Sequence, residues 1–170
     1  SRALPERRIR EFMVVRQREG APLRIDDVQR AVTLLNEMPG MRAASVLEPG
    51  EGEGDSRLFL AVDDEPLVTG SLLLDNYGAR ATGEARAALN LALNGPLALG
   101  DQWRLSAFAS KGSKYARAGM SLPVGNDGLR ALVHGSGLRY GYDLNTVRYS
   151  GDARTAVGML NYPVRRSAEN

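Results

Sequence analysis

The chain has 170 residues, of which 43% are hydrophobic and 25% charged, with no cysteine and one histidine. Disulfide and thiolate chemistry are therefore excluded, and no run of ~18 apolar residues could form a transmembrane helix; membrane β-strands stay open, because they need an apolar residue only at every second position. The net charge of +2 hides a split, with 10 basic against 13 acidic side chains in residues 1–66 and 12 against 7 in residues 67–170. The basic residues are dispersed rather than gathered into an aromatic-studded stripe, so no nucleic-acid partner is expected.

The first 66 residues carry helical spacing followed by a hairpin. Pro5 suits a helix start, Ile9, Phe12 and Met13 mark one apolar face, and Gly20, Ala21 and Pro22 end it. Asp26 or Asp27 is expected to cap a second helix, on which Val28, Ala31, Val32 and Leu35 recur at i, i+3, i+4 and i+7. Met38-Pro39-Gly40 stops it. Residues 41–47 and 57–62 then alternate as two strands around the turn-rich segment 48–55.

From Leu67 onward only strand patterns occur, over residues 68–77, 84–93, 102–110, 115–124, 129–142 and 153–164. Ala85, Ala87, Leu89, Leu91 and Leu93 share one face, opposite Glu84, Arg86, Asn90 and Asn94. Trp103, Leu105, Ala107 and Ala109 oppose Arg104, Ser106 and Ser110, and Ala116, Ala118, Met120 and Leu122 oppose Arg117, Gly119 and Ser121. Such dyads suit strands with lipid on one side and water on the other, and also suit a soluble sandwich. A sandwich core would use more Phe, Val and Ile, which favours the barrel. Trp103, Tyr115, Tyr140 and Tyr162, near strand ends, are expected to form an interfacial girdle.

Few residues point to chemistry. His134 has no cysteine or second histidine to join it and reads as a pore-lining polar residue beside Arg130 and Ser136. Asp63-Asp64-Glu65, followed by Pro66, reads as a solvated hinge, and the glycine-rich segment 50–54 lacks the lysine and following helix of a phosphate loop. No cofactor, metal or catalytic set is expected.

Several segments, in order, resemble the outer-membrane two-partner secretion transporters, the TpsB or haemolysin-activator (ShlB-type) class. Residues 34–41 resemble the end of the second helix of that family's membrane-proximal POTRA domain, and Leu47-Glu48-Pro49-Gly50 with Ser56-Arg57-Leu58 resembles its hairpin. Leu74-Asp75-Asn76-Tyr77-Gly78 with Thr82-Gly83 resembles the first barrel strand and the turn after it. Asn94-Gly95-Pro96-Leu97-Ala98-Leu99-Gly100-Asp101 resembles the family's Asn-Pro…Leu-Gly-Asp turn with Gly95 inserted, and residues 160–167, including Tyr162, Pro163 and Arg165, resemble a later strand.

The resemblance implies an α+β POTRA domain over residues 1–66, helix-helix-strand-strand with its first strand missing. The first strands of an antiparallel membrane β-barrel, about six, follow over residues 67–170. It implies that this is part of a longer transporter whose first POTRA domain, plug helix and remaining strands lie elsewhere. Six strands are too few to close such a barrel, so the piece alone is expected to self-associate or require detergent. The implied activity is translocation of a large β-helical exoprotein, an adhesin or haemolysin recognised by its N-terminal secretion domain, across the outer membrane, with the POTRA region in the periplasm. A barrel-assembly factor and a soluble β-rich ligand-binding domain are the alternatives. Client capture is expected at the edge strand 41–47 and the helix groove beside it, through Val28, Val32, Leu35, Arg42, Ala44 and Val46. Arg86, Arg104, Arg117 and Arg130 are expected to face the pore, with outer-membrane lipid against the opposite face.

Overall fold

The computed structural model describes residues 1–14, 22–52, 56–144 and 146–163. Gly20 and Ala21, the end of the 48–55 turn and Arg165 lie outside the described residues. Among the described residues two helices, α1 (Glu6–Val14) and α2 (Ile25–Asn36), precede eight strands: β1 (Met41–Pro49), β2 (Ser56–Asp64), β3 (Val68–Asp75), β4 (Arg86–Asn94), β5 (Gln102–Ser110), β6 (Ser113–Val124), β7 (Leu129–Leu144) and β8 (Val147–Asn161). β1 and β2 form a two-stranded sheet, and β3 to β8 form an antiparallel meander in chain order.

The helices form because apolar residues fall at helical spacing and pack inward. Phe12, Leu4, Leu34, Leu35 and Met41 are fully buried and centre a core that also takes in Ala3, Ile9, Met38 and Ala43, with Leu60 and Val62 against it. The expected aspartate cap is corrected. α2 starts at Ile25 with Arg24 at the N-cap position and no side-chain cap, and Asp27 instead pairs with Arg24 at 3.2 Å. Asp26 and Asp27 sit in the first turn, where their charge still opposes the positive end of the helix dipole.

Among the described residues every buried hydrophobic side chain lies between Ala3 and Ala43. The leucines of the meander are not in a core at all: Leu72 is 66% and Leu74 69% exposed, and Leu91, Leu93, Leu105, Val133 and Leu160 are exposed as well. No second layer covers the apolar face of the sheet among the described residues. In a continuous ladder, residues paired across strands share a face. Leu91, Leu105, Ala118, Gly135 and Ala156 form one such row, and Leu93, Trp103, Met120, Val133 and Gly158 the next. Arg104, Gly119 and His134 belong to a row on the opposite, polar face, as do Ser106, Arg117, Ser136 and Thr155.

That parity corrects the girdle. Trp103 is on the apolar face, but Tyr115 shares the polar face with Arg117, and Tyr140 shares it with His134. Tyr140 lies over Gly151, where an added Cβ would stand 2.7 Å from the phenolic oxygen, and Tyr142 stacks between Tyr140 and Tyr149. The last strand is also longer than expected: β8 starts at Val147 rather than residue 153, because Val147 to Asp152 continue the ladder opposite Arg139 to Leu144.

Candidate translocation surface and its helical collar

The helices meet the sheet at one end of the meander. Three residues separate β2 from β3, and the chain is tied down on both sides of them. Glu65 N–H donates to Gly40 O (3.0 Å), Asn94 N–H to Leu67 O (2.7 Å), and Asn94 Nδ2 to Pro66 O (3.1 Å). Arg42 pairs with Glu65 at 3.0 Å. The Ser1 hydroxyl and Arg2 N–H donate to Asp64 Oδ1, and these two bonds hold its carboxyl below the usual aspartate range. Asp63 and Asp64 are exposed, which agrees with a solvated link.

The β4–β5 turn is the seat of this contact. Its Asp101 is completely buried and accepts from the N–H of Leu97 (3.3 Å), the N–H of Leu99 (3.4 Å) and Trp103 Nε1 (2.9 Å). Gly95 has φ 68 and Gly100 φ 71, and the turn closes with Gly95 N–H donating to Asp101 O. Cβ atoms at these glycines would stand 2.6 Å from Ala3 and 2.9 Å from Met38 Sδ, so both positions are closed by the helical region as well as by backbone conformation. The inserted Gly95 is thus accommodated as a contact point, and Gly100 N–H also donates to Ala3 O. Pro163, from the last matched segment, and Leu34 of α2 both press on Gly128. Tyr162 is exposed.

The opposite rim carries the Asp75–Gly83 segment. Asp75 Oδ1 accepts from Tyr77 N–H (3.0 Å) and Arg86 Nε (2.7 Å), fixing an Asx turn. Gly78 N–H donates to Glu84 O, and Thr82 O accepts from Ser110 Oγ and Gly112 N–H, so neighbouring hairpin ends are stitched together. Asn76 and Tyr77 are exposed and carry no contact beyond this turn that suggests a ligand.

A cavity of ≈ 580 Å³ opens between the polar face and the end of α2. Arg104, Arg117, Arg130, His134, Gln102 and Ser121 line it from the sheet, with Asn36, Glu37, Met38, Pro39 and Glu65 opposite. Arg117 Nη2 donates to His134 Nδ1 at 3.2 Å, which requires the neutral ring with its proton on Nε2. Arg104 Nε donates to Gln102 Oε1 at 2.7 Å. Arg130 is a strut: its guanidinium reaches Gly100 O (3.1 Å), Ser121 Oγ (3.0 Å) and Met38 Sδ (3.6 Å). Arg86, tied to Asp75, lies at the far rim. The four arginines share the polar face, yet only three of them meet at this cavity.

The expected groove is narrower than the sequence suggests. Val28 and Leu35 are buried, Leu35 completely, and offer nothing to an incoming chain; Val32 is half-buried. Arg42, Ala44 and Val46 lie on the exposed face of β1. The edge itself is partly occupied. Asn36 Nδ2 donates to Ala43 O (2.8 Å) while Ala43 N–H donates to Asn36 Oδ1 (2.7 Å), so the helix-terminal amide acts as a one-residue substitute strand. Because outward backbone groups alternate along an antiparallel strand, Ser45 and Leu47 are the next positions facing the free edge. Sequence inspection missed Asn36, and its only signal was an Asn at the end of a helix leading into an edge strand.

The described residues thus form a six-stranded antiparallel meander with two unlike faces, and two helices with a two-stranded hairpin seated at one end of it. A family model described as "Haemolysin secretion/activation protein ShlB/FhaC/HecB" matches residues 54–170, more than half of the chain. The chain belongs to that family. It is 34% identical over 128 residues to outer membrane transporter CdiB of Escherichia coli, covering 72% of this chain and 21% of that protein. It is 23% identical over 124 residues to the heme/hemopexin transporter protein HuxB of Haemophilus influenzae (strain 86-028NP), covering 73% and 21%. The structure of CdiB from Escherichia coli superposes with TM-score 0.70 at 29% identity, over 96% of this chain and 32% of that one. BamA from Haemophilus ducreyi lacking POTRA domains 1-3 superposes with TM-score 0.66 at 16% identity, over 95% and 30%, a likeness of fold alone. The chain spans about a fifth of the length of the relatives it matches.

Proposed function

We propose that this chain is a section of an outer-membrane translocation pore of two-partner secretion. Residues 1–66 form a POTRA-type domain in the periplasm, and residues 67–170 form the first strands of the barrel. The client is a secreted exoprotein, captured as an added strand along β1 at Ser45 and Leu47 and passed over the polar face lined by Arg104 and Arg117. The observation that carries this is the two-sidedness of the meander: among the described residues no protein layer lies over its apolar face, and its polar face opens onto the collar. On β6 the outward positions from Ala116 to Val124 are all apolar, about 27 Å of strand at ~3.4 Å per residue, which at a tilt of ~40° spans ~21 Å, most of the ~25 Å apolar band of an outer-membrane barrel.

Strand addition is tested in the full-length transporter with two proline variants. Leu47→Pro removes an N–H that faces the free edge, whereas Val46→Pro removes one that bonds β2. Leu47→Pro should cut secretion by about tenfold with normal transporter abundance; Val46→Pro should reduce abundance itself. Undiminished secretion by a well-folded Leu47→Pro protein would refute capture at this edge.

A further inference from the structure

The apolar face ends abruptly in charge. On β6 and β7 the outward positions beyond Ala116 and Gly137 are Lys114 and Arg139, with Asp152 opposite Arg139 in the ladder, and on β8 Arg154 stands opposite Gly137. All four are exposed, and none makes an ion pair among the described residues. Together they line a hollow of ≈ 280 Å³ whose floor is Ala116 and Gly137. Immediately below on the same face runs a second, apolar hollow of ≈ 850 Å³, between Leu91, Leu105 and Trp103 on one side and Val133 on the other, floored by Ala118 and Gly135. Three cations against one carboxylate leave a net charge of +2 at the head of an apolar groove.

We infer that this surface binds a phosphate-bearing membrane lipid, with its phosphate on Lys114, Arg139 and Arg154 and an acyl chain in the groove below. This rests on the proposal that the apolar face meets the membrane. Charge complementarity selects an anionic headgroup over a neutral one, and the groove selects a lipid over a soluble phosphate. The groove is open where the chain itself does not need it open. Cβ atoms at Gly137 and Gly158 would meet nothing within 4 Å and one at Gly135 only a carbonyl at 3.8 Å, whereas Gly95, Gly119 and Gly151 are crowded by their neighbours. The cluster lies at the end of the sheet away from the collar, so a transporter with its collar in the periplasm presents it to the outer leaflet.

The test uses the full-length transporter in phosphatidylcholine nanodiscs doped with lipid A, with lipid retention counted by native mass spectrometry. At roughly fivefold per surface cation, the triple variant Lys114→Ser, Arg139→Ser, Arg154→Ser should weaken retention by about a hundredfold. Arg117→Ser, on the polar face, should leave it unchanged, and dephosphorylated lipid A should bind the unaltered protein as weakly as lipid A binds the triple variant. Equal retention by the triple variant, or equal retention of the dephosphorylated lipid, would overturn the site. Failure of the protein to enter nanodiscs at all would instead overturn the membrane assignment beneath it.

Discussion

Replacing Asp101 with alanine removes the acceptor around which the β4–β5 turn is wound. The Trp103 Nε1 bond, at 2.9 Å to a buried carboxylate, is worth ~1.5–3 kcal/mol; the Leu97 and Leu99 bonds at 3.3 and 3.4 Å are longer and worth ~0.5–1 kcal/mol each. Asp101→Ala should therefore lower stability by about 3–5 kcal/mol. Asp101→Asn keeps one oxygen but presents its amide N–H either to Trp103 or to the backbone donors, and should cost ~1–3 kcal/mol. Because the same turn bears Gly95 and Gly100, which contact Ala3 and Met38, the loss should also loosen the collar. The assay is urea unfolding of the full-length transporter in detergent, followed by heat-modifiable mobility, with limited proteolysis reporting the collar. Asp143→Ala, at an exposed position, should stay within ~0.5 kcal/mol. A cost below about 1 kcal/mol for Asp101→Ala would refute the claim that this carboxylate organises the junction.

Asn36→Ala leaves the N–H and C=O of Ala43 without their partner and should cost ~2 kcal/mol, while lengthening the open edge of β1; urea unfolding reads the first effect, and client pull-down, expected to rise or hold, reads the second. Gly100→Val combines a left-handed backbone with a Cβ 2.9 Å from Met38 Sδ, and should destabilise by ~2–4 kcal/mol and expose the link between β2 and β3 to protease. Unaltered protease resistance in Gly100→Val would remove that contact from the account.

The parts of the fold legible in the sequence were those written in periodicity. β4 and β5 alternate, with Ala88, Ala92 and Phe108 as the apolar exceptions on the polar side, so their faces follow from counting by twos. The same count places Tyr115 two residues from Arg117 and Tyr140 six from His134, both on the polar face. Their aromatic chemistry near strand ends suggested an interface instead, and parity decides against it. The start of β8 was hidden because Val147 to Asp152 alternate Arg, Tyr, Ser and Asp rather than leucine; strands reaching beyond the apolar band lose the pattern by which strands are found. Leu35 illustrates the limit for the candidate site. A helical stripe identifies a buried face, but not whether a client or the domain's own core buries it, and here Phe12 and Met41 are the occupants. Asp101 stands out in the sequence as the end of the Asn94–Asp101 turn and Asn36 only as an Asn at a helix end; what each one binds is set by the turn that encloses or follows it.

Which face of the meander meets lipid is read by spin labels placed singly at residues 102–110 of β5 in the full-length transporter reconstituted into bilayers. A strand with lipid on one side and water on the other gives a period of two: high oxygen accessibility at 103, 105, 107 and 109, and high accessibility to a water-soluble nickel complex at 102, 104 and 106. Uniform accessibility along the strand, or the opposite phase, would contradict it.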